Sequence, residues 1–324
     1  MLCNTSAINP CEHGRTAEER GIFRCCQWLD GLIADDSASA LIANFRPLRH
    51  PLKYFAVDLD GTFLSNNPEV FQRNLDAFAK VFRAGYKIFF CTGRCHTDSM
   101  RVMPAGFMEK IGYNGFPGVY YNGGIVFDDK GNVIVNELFD KGILSRIIDC
   151  IIAANHEKYT VFLTFDCWYV VTDDRSYFNE MIEFAGLNRP LVRTTLAEVM
   201  KMDIMKVLIC KYALMAPYFG GMVNHDFVHK RAMLDMTDLT PVGVTKRSGL
   251  EVLLDHLGGS AAECGYIGDA ENDIEAMEFC DHSFAVGNAT DTVKQSAKYV
   301  CEITSEQCAF AAVVDAVYGS YISR

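Results

Sequence analysis

The sequence predicts an α/β protein in which a parallel sheet alternates with helices and is divided by an inserted α+β segment. Short apolar runs that end abruptly in polar loops recur at 54–57, 88–91 and 264–267, as expected of strands buried on both faces of a parallel sheet. Stretches with helical spacing separate them. Between about 125 and 240 the pattern changes to paired strands mixed with helices, which belongs to a different architecture.

Residues 1–50 show no sustained period and read as a partly ordered N-terminal extension, with short helices near 24–33 and 38–44. The first strand, Tyr54-Phe55-Ala56-Val57, ends in the turn Asp58-Leu59-Asp60-Gly61-Thr62. Asn67 before Pro68 is an N-cap with proline in the first helical position. Phe71, Leu75, Phe78 and Phe82 continue at helical spacing, and Gly85 closes the helix before a strand at 88–91. Strand, helix and strand form a βαβ unit, whose crossover is right-handed. A third strand, 119–121, stops at Asn122-Gly123-Gly124.

Residues 125–127 and 133–135 flank a polar turn and read as a hairpin. The insert continues with a helix at 143–155, strands at 160–165 and 168–171, helices at 176–185 and 196–202, a strand at 204–210, a helix at 216–225 and a strand at 232–235. The alternation resumes with a helix at 246–257, a strand at 264–267, a helix at 272–279, a strand at 283–286 and helices at 291–297 and 307–317. The expected division is a discontinuous core domain, 51–124 and 241–320, around an insert over 125–240. The core is a Rossmann-like parallel sheet.

A chain of 324 residues fits about two domains. Half of the residues are apolar and 22% are charged, which suits a folded soluble protein that needs no disulfide framework. A net charge of −11 argues against a nucleic-acid surface. No apolar run approaches the roughly 18 residues of a membrane span. The N-terminus lacks the basic region and apolar core of a secretory signal, and its Glu12, Glu18, Glu19 and Asp30 are out of place in a mitochondrial presequence. A cytoplasmic location is therefore expected. Thirteen scattered cysteines read as buried reduced thiols, and the group Cys3, Cys11, His13, Cys25 and Cys26 has no C-x-x-C pair to suggest zinc. The sequence leaves the oligomeric state open.

Four elements at strand ends or helix starts carry polar residues, and ligands of open parallel sheets bind beyond the carboxyl ends of the strands. Asp58 and Asp60, two residues apart in extended chain, start out on one side. Gly61 lets the chain turn away. The alternatives are a plain acidic surface turn or the DxD of metal-nucleotide glycosyltransferases. Thr92-Gly93-Arg94 offers a hydroxyl, a flexible backbone and a cationic fork suited to phosphate oxygens, though Thr-Gly turns are common. Lys246 opens a helix; alone it reads as a solvated surface charge. Asp269 and Asp273, in Gly268-Asp269-Ala270-Glu271-Asn272-Asp273, suit a divalent cation that wants hard oxygen ligands, although Asp273 also reads as an ordinary helix cap.

Taken in order, these motifs resemble the haloacid dehalogenase-like (HAD) superfamily, and more narrowly its Cof-type hydrolases, with a large α+β cap inserted between the second and third motifs. Tyr121-Asn122-Gly123-Gly124, the 23-residue step from Lys246 to Asp269, and Ala285-Val286-Gly287-Asn288-Ala289 match as well. The resemblance covers about 51–320. It departs at Phe63, where leucine is usual, and at Cys95-His96, where proline commonly follows the arginine. The resemblance implies a phosphatase acting on small phosphate esters, sugar phosphates favoured. Asp58 is then the nucleophile that forms an aspartyl-phosphate, and Asp60 the general acid and base. Mg²⁺ would be held by Asp58, Asp269 and the backbone carbonyl of Asp60, with Asp273 orienting its shell. Thr92, Lys246 and Asn272 would stabilise the transferring phosphoryl group, and Gly93, Arg94, Asn122 and Gly123 would contact substrate. A phosphomutase or phosphotransferase on the same core, and a non-catalytic phospho-ligand-binding module, are the alternatives. In the cap, Trp168, Tyr169, Tyr177 and Arg193 are candidates only as large, polar-capable side chains.

Overall fold

The computed structural model describes residues 38–184, 190–231 and 236–322. The expected strand at 232–235, the helix at 24–33 and the N-terminal cysteines lie outside these residues. Strand β1 (Tyr54–Val57) is buried along its whole length. Helix α1 (Pro68–Arg83) begins where the sequence places it: the Asn67 side chain accepts the Glu69 and Val70 amides at 3.0 and 3.4 Å. After β2 (Lys87–Phe90) come two short helices the sequence pattern did not announce, α2 (His96–Arg101) and α3 (Phe107–Ile111). The residue replacing the usual proline has a structural task, because Cys95 Sγ caps α2 by accepting the Asp98 amide at 3.4 Å. The next residue, His96, stacks on Phe116 with ring centroids 4.6 Å apart. Strands β3 (Gly118–Tyr120), β4 (Ile125–Phe127) and β5 (Val133–Asn136) form a small antiparallel sheet, so the hairpin expected to open the insert pairs with β3.

The insert continues through α4 (Lys141–Ala153), β6 (Thr160–Leu163), β7 (Trp168–Val170), α5 (Ser176–Phe184), β8 (Leu191–Arg193), α6 (Leu196–Val199), β9 (Lys206–Cys210), α7 (Tyr212–Phe219), β10 (Phe227–Arg231) and β11 (Met236–Pro241). The helix expected at 216–225 thus begins at Tyr212 and gives way to a turn after Phe219. The six strands lie in the order β10-β11-β9-β6-β7-β8, antiparallel except for β7 with β8. Successive side chains alternate between faces. Val207, Ile209 and Phe162 pack with Leu144 and Ile147 of α4 and Phe219 of α7, while Leu208, Cys210 and Leu163 join the larger apolar cluster that also holds Val57 of β1 and Phe90 of β2. This second face is the one turned to the site.

The chain returns with α8 (Lys246–His256), β12 (Cys264–Gly268), a single turn at Glu271–Asp273, α9 (Ile274–Phe279), β13 (His282–Ala285), α10 (Asp291–Ser296), β14 (Tyr299–Val300) and α11 (Ala309–Ile322). The core sheet is parallel throughout, in the order β14-β13-β12-β1-β2. Part of the N-terminal extension is built onto its edge. The Ala43 amide donates to Val300 O at 2.9 Å, and Phe45 meets Phe284 and Tyr299 edge-on. Among the described residues no helix is long and apolar enough to cross a membrane.

Candidate active site

β1, β2 and β12 run side by side and end at the same edge, so the loops that follow them meet there. After β1 the chain winds through one wide turn, Leu59–Phe63, closed by the Leu64 amide on Leu59 O at 2.9 Å. Gly61 makes that turn with φ +75°, and a Cβ there would lie 2.3 Å from Asp269 Oδ2. Glycine is thus required by both backbone angle and space. Asp269 is held in place by Thr62, whose hydroxyl donates to Oδ1 at 3.1 Å.

Lys246 is not a surface charge. It is fully buried, and its Nζ donates to Asp58 Oδ1 at 2.5 Å and to Asp273 Oδ1 at 2.6 Å. Burial pulls against the ammonium, but the two carboxylates outweigh it and hold the lysine above its ordinary range. Burial, followed by repulsion from Asp273, pushes the Asp58 carboxyl well up despite Lys246. The same two causes push Asp269 up to about 7. Asp273 is saturated: Tyr266 OH also donates to Oδ1 at 2.5 Å, and the Asp269 and Ala270 amides donate to Oδ2 at 3.0 and 2.9 Å. It therefore anchors Lys246 and the Asp269 loop.

Asp60 is gripped by Arg94, with Nε on Oδ2 at 2.7 Å and Nη2 on Oδ1 at 2.6 Å, a two-toothed ion pair of the kind the guanidinium fork favours. Thr92 is buried and its hydroxyl accepts the Arg94 amide at 3.1 Å, fixing the loop. Asn122, with φ +55°, accepts a hydrogen bond from Asn272 Nδ2 at 2.9 Å. Asp58, Asp60, Gly93, Arg94, Asn122, Asp269 and Asn272 line one cavity of about 320 Å³. Thr92, Lys246 and Asp273 stand behind that lining. Gly123, expected at the substrate, has φ +95° and packs so close to the start of α8 that a Cβ would meet Thr245 O at 2.1 Å. Of the four cap candidates only Trp168 lines the cavity; Tyr169 packs toward the helices of the insert, Tyr177 against Tyr159, and Arg193 pairs with Asp173.

Asp58, Asp269 and Asp273 each offer a carboxylate oxygen, all within 4.8 Å of one another. These are hard donors, and burial together with repulsion from Asp273 raises Asp58 and Asp269, a repulsion that a bound cation would relieve. The residues present fit a small divalent cation held by Asp58 and Asp269.

Sequence alone assigns no role to two groups. Asn288, on the loop after β13, donates to Gly61 O at 2.9 Å and reaches Asp269 Oδ2 at 3.4 Å. Lys206 and Asp238, from the insert, pair at 2.8 Å above Gly93. Lys206 interrupts the apolar run 204–210, and a charge inside a buried strand implies a partner.

The haloacid dehalogenase-like hydrolase family model matches residues 55–313. A solved HAD/COF-like hydrolase from Plasmodium vivax superposes with a TM-score of 0.78 and 26% identity, covering 88% of this chain and all of that one. An HMP-PP phosphatase of Citrobacter koseri is 25% identical over 251 residues, 72% of this chain and 84% of that protein. A chloroplastic endoribonuclease of Arabidopsis thaliana, YBEY, is 23% identical over 285 residues; these are 85% of this chain but only 47% of that protein, so this chain spans about half its length. The motif loops, the sheet order and these likenesses agree: the chain belongs to the haloacid dehalogenase-like hydrolase family, in its Cof-type branch, and is a phosphatase-type enzyme.

Proposed function

We propose that this chain is a Mg²⁺-dependent phosphatase that hydrolyses monoesters of small metabolites, sugar phosphates favoured, through an aspartyl-phosphate on Asp58. The observation that carries the reading is Asp58 at the wall of the cavity, one oxygen tied to the buried Lys246 and Asp269 beside it. A carboxylate approaching a phosphate dianion at 4 Å meets roughly 8 kcal/mol of repulsion at an effective dielectric of 20. Lys246 supplies one compensating charge. Mg²⁺, when held by Asp58, Asp269 and the Asp60 carbonyl, supplies the rest by neutralising the charge on the phosphate oxygens.

Asp58 attacks phosphorus with the oxygen that Lys246 does not hold, and the ester P–O bond breaks as the leaving oxygen takes a proton from Asp60. Water then attacks the aspartyl-phosphate, Asp60 takes its proton, and the P–O bond to Asp58 breaks to free phosphate. Asp60 must leave part of the Arg94 fork to do this, and Arg94 can then turn to the phosphate oxygens. Asn272 and Thr92 fix the loops around the transferring group. The residues we assign to the cap, 125–240, roof the site and keep bulk water out. A cavity of about 320 Å³ suits a small metabolite. We place the enzyme in the cytoplasm, a reading supported by nine described cysteines that are all free thiols.

The test is hydrolysis of p-nitrophenyl phosphate with and without Mg²⁺. Turnover is expected only with the metal and to fall about 10³-fold or more in Asp58→Asn, since a lost nucleophile disables the whole assembly. Undiminished turnover by that variant would remove Asp58 from the reaction.

A further inference from the structure

The roof of the cavity holds charges that the chemistry at Asp58 does not use. Lys206 on β9 and Asp238 on β11 are 6% and 4% exposed and pair at 2.8 Å. Asp238 stands opposite Leu208, so it and Lys206 are diagonal neighbours on one sheet face. The same register puts Lys230, opposite Asp238, and Trp168, joined to Lys206 through Leu163, on that face. Lys206 reaches down to Gly93 O at 3.0 Å and Asp238 Oδ2 lies 3.4 Å from Asn122 Nδ2. The pair thus sits where roof meets floor, beside the loops assigned to the phosphate.

Four polar atoms of the cavity residues are buried without a partner: Asp238 Oδ1, Trp168 Nε1, Arg94 Nη1 and Asn272 Oδ1. A buried carboxylate oxygen left unpaired is costly, more so than a neutral group. Two of these atoms donate and two accept, and a hydroxyl is the group that can do both at once. Leu208 and Met236 give the cavity an apolar wall for C–H groups. Of the four cations that line it, Lys206 is matched by Asp238, Lys230 by Glu275 at 2.7 Å and Arg94 by Asp60, while the fourth, Arg231, stands exposed at the end of β10. A second anion on the leaving group would meet these neutralised pairs and the unmatched oxygen of Asp238.

We propose that Asp238, set in place by Lys206, determines specificity by accepting a hydrogen bond from a leaving-group hydroxyl. The site then takes monoesters of neutral polyhydroxylated compounds and disfavours leaving groups that carry a further phosphate. This inference rests on the phosphatase reading above.

The test compares kcat/KM, with Mg²⁺, on p-nitrophenyl phosphate, on glucose 6-phosphate, mannose 6-phosphate and ribose 5-phosphate, and on fructose 1,6-bisphosphate. For the wild type, the best of the three monophosphates is expected to exceed both other esters. In Asp238→Asn its advantage over p-nitrophenyl phosphate is expected to fall about 10- to 100-fold, the scale of one hydrogen bond to a charged group. Should that variant unfold, Lys206→Met/Asp238→Leu replaces the pair by apolar residues of similar size and reads the same ratio. Wild-type protein inert on every ester overturns the phosphatase reading itself. Wild-type protein that is active, with a ratio unmoved in the folded variant or a preference for the bisphosphate, overturns the role of Asp238 alone.

Discussion

Replacing Lys246 by methionine isolates the charge on which the site depends. The lysine is fully buried between carboxylates at 2.5 and 2.6 Å. Each contact represents about 6 kcal/mol of attraction at an effective dielectric of 20. Much of that is offset by the cost of taking the ammonium out of water, and removing one partner of a buried pair typically costs about 3–5 kcal/mol. Against a stability of about 5–15 kcal/mol that is a large fraction. The loss has a pH signature. In the wild type the lysine's raised pKa leaves its contribution complete at any pH below the unfolded value of about 10.4, so it is constant from pH 5.5 to 8. Carboxyls behave the other way. Asp58 is already pushed up by burial and by Asp273, and Asp269 to about 7. Without the lysine the carboxyls rise further, and a raised carboxyl costs stability increasingly as pH climbs from its unfolded value of about 4 to its folded one. Urea unfolding of Lys246→Met in the presence of a chelator should therefore show a deficit about 2 kcal/mol larger at pH 8 than at pH 5.5, within the limit of about 1.4 kcal/mol per pH unit for each proton. A deficit equal at the two pH values, or absent, would refute the electrostatic reading of this cluster.

Two further outcomes follow from the same geometry. Gly123→Ala forces a left-handed φ of +95° on alanine and sets its Cβ 2.1 Å from the backbone oxygen of Thr245; a fall in Tm of about 5 °C or more is expected by thermal melting, and an unchanged Tm would mean that β3 and α8 are not so closely opposed. Because Asp269 is pushed up to about 7 in the cation-free protein, protons compete with the metal below that pH. Added Mg²⁺ should raise Tm more at pH 8 than at pH 5.5, and equal shifts would count against Asp58 and Asp269 as the cation site.

How legible each part was follows from where its determinants lie. β1, β2 and β12 are buried on both faces, Lys87 at the start of β2 excepted, so each carries an apolar run, and the residue after it is placed by the backbone at the edge of the sheet. Asp58, Thr92 and Asp269 could be located in this way from a few neighbours each. Lys246 could not, because the carboxylates that bury it lie 188 and 27 residues away along the chain. The insert was harder still. β10 and β11, Phe227–Arg231 and Met236–Pro241, turn one face to apolar helices and the other to a polar cavity. Neither a continuous apolar run nor a simple polar-outward alternation describes such a strand. The difference has a physical root. Most groups we assign to the chemistry hang from strand ends, whose position depends on local sequence. Groups that recognise the leaving group, Lys206 and Asp238 among them, share a sheet face through a register set by pairing strands about thirty residues apart. Lys206 did leave a local sign, since a lysine within 204–210 would strand a charge among apolar side chains unless the fold brought a carboxylate to it. That argument demands a partner without naming it; the pairing of β9 with β11 is what selects Asp238.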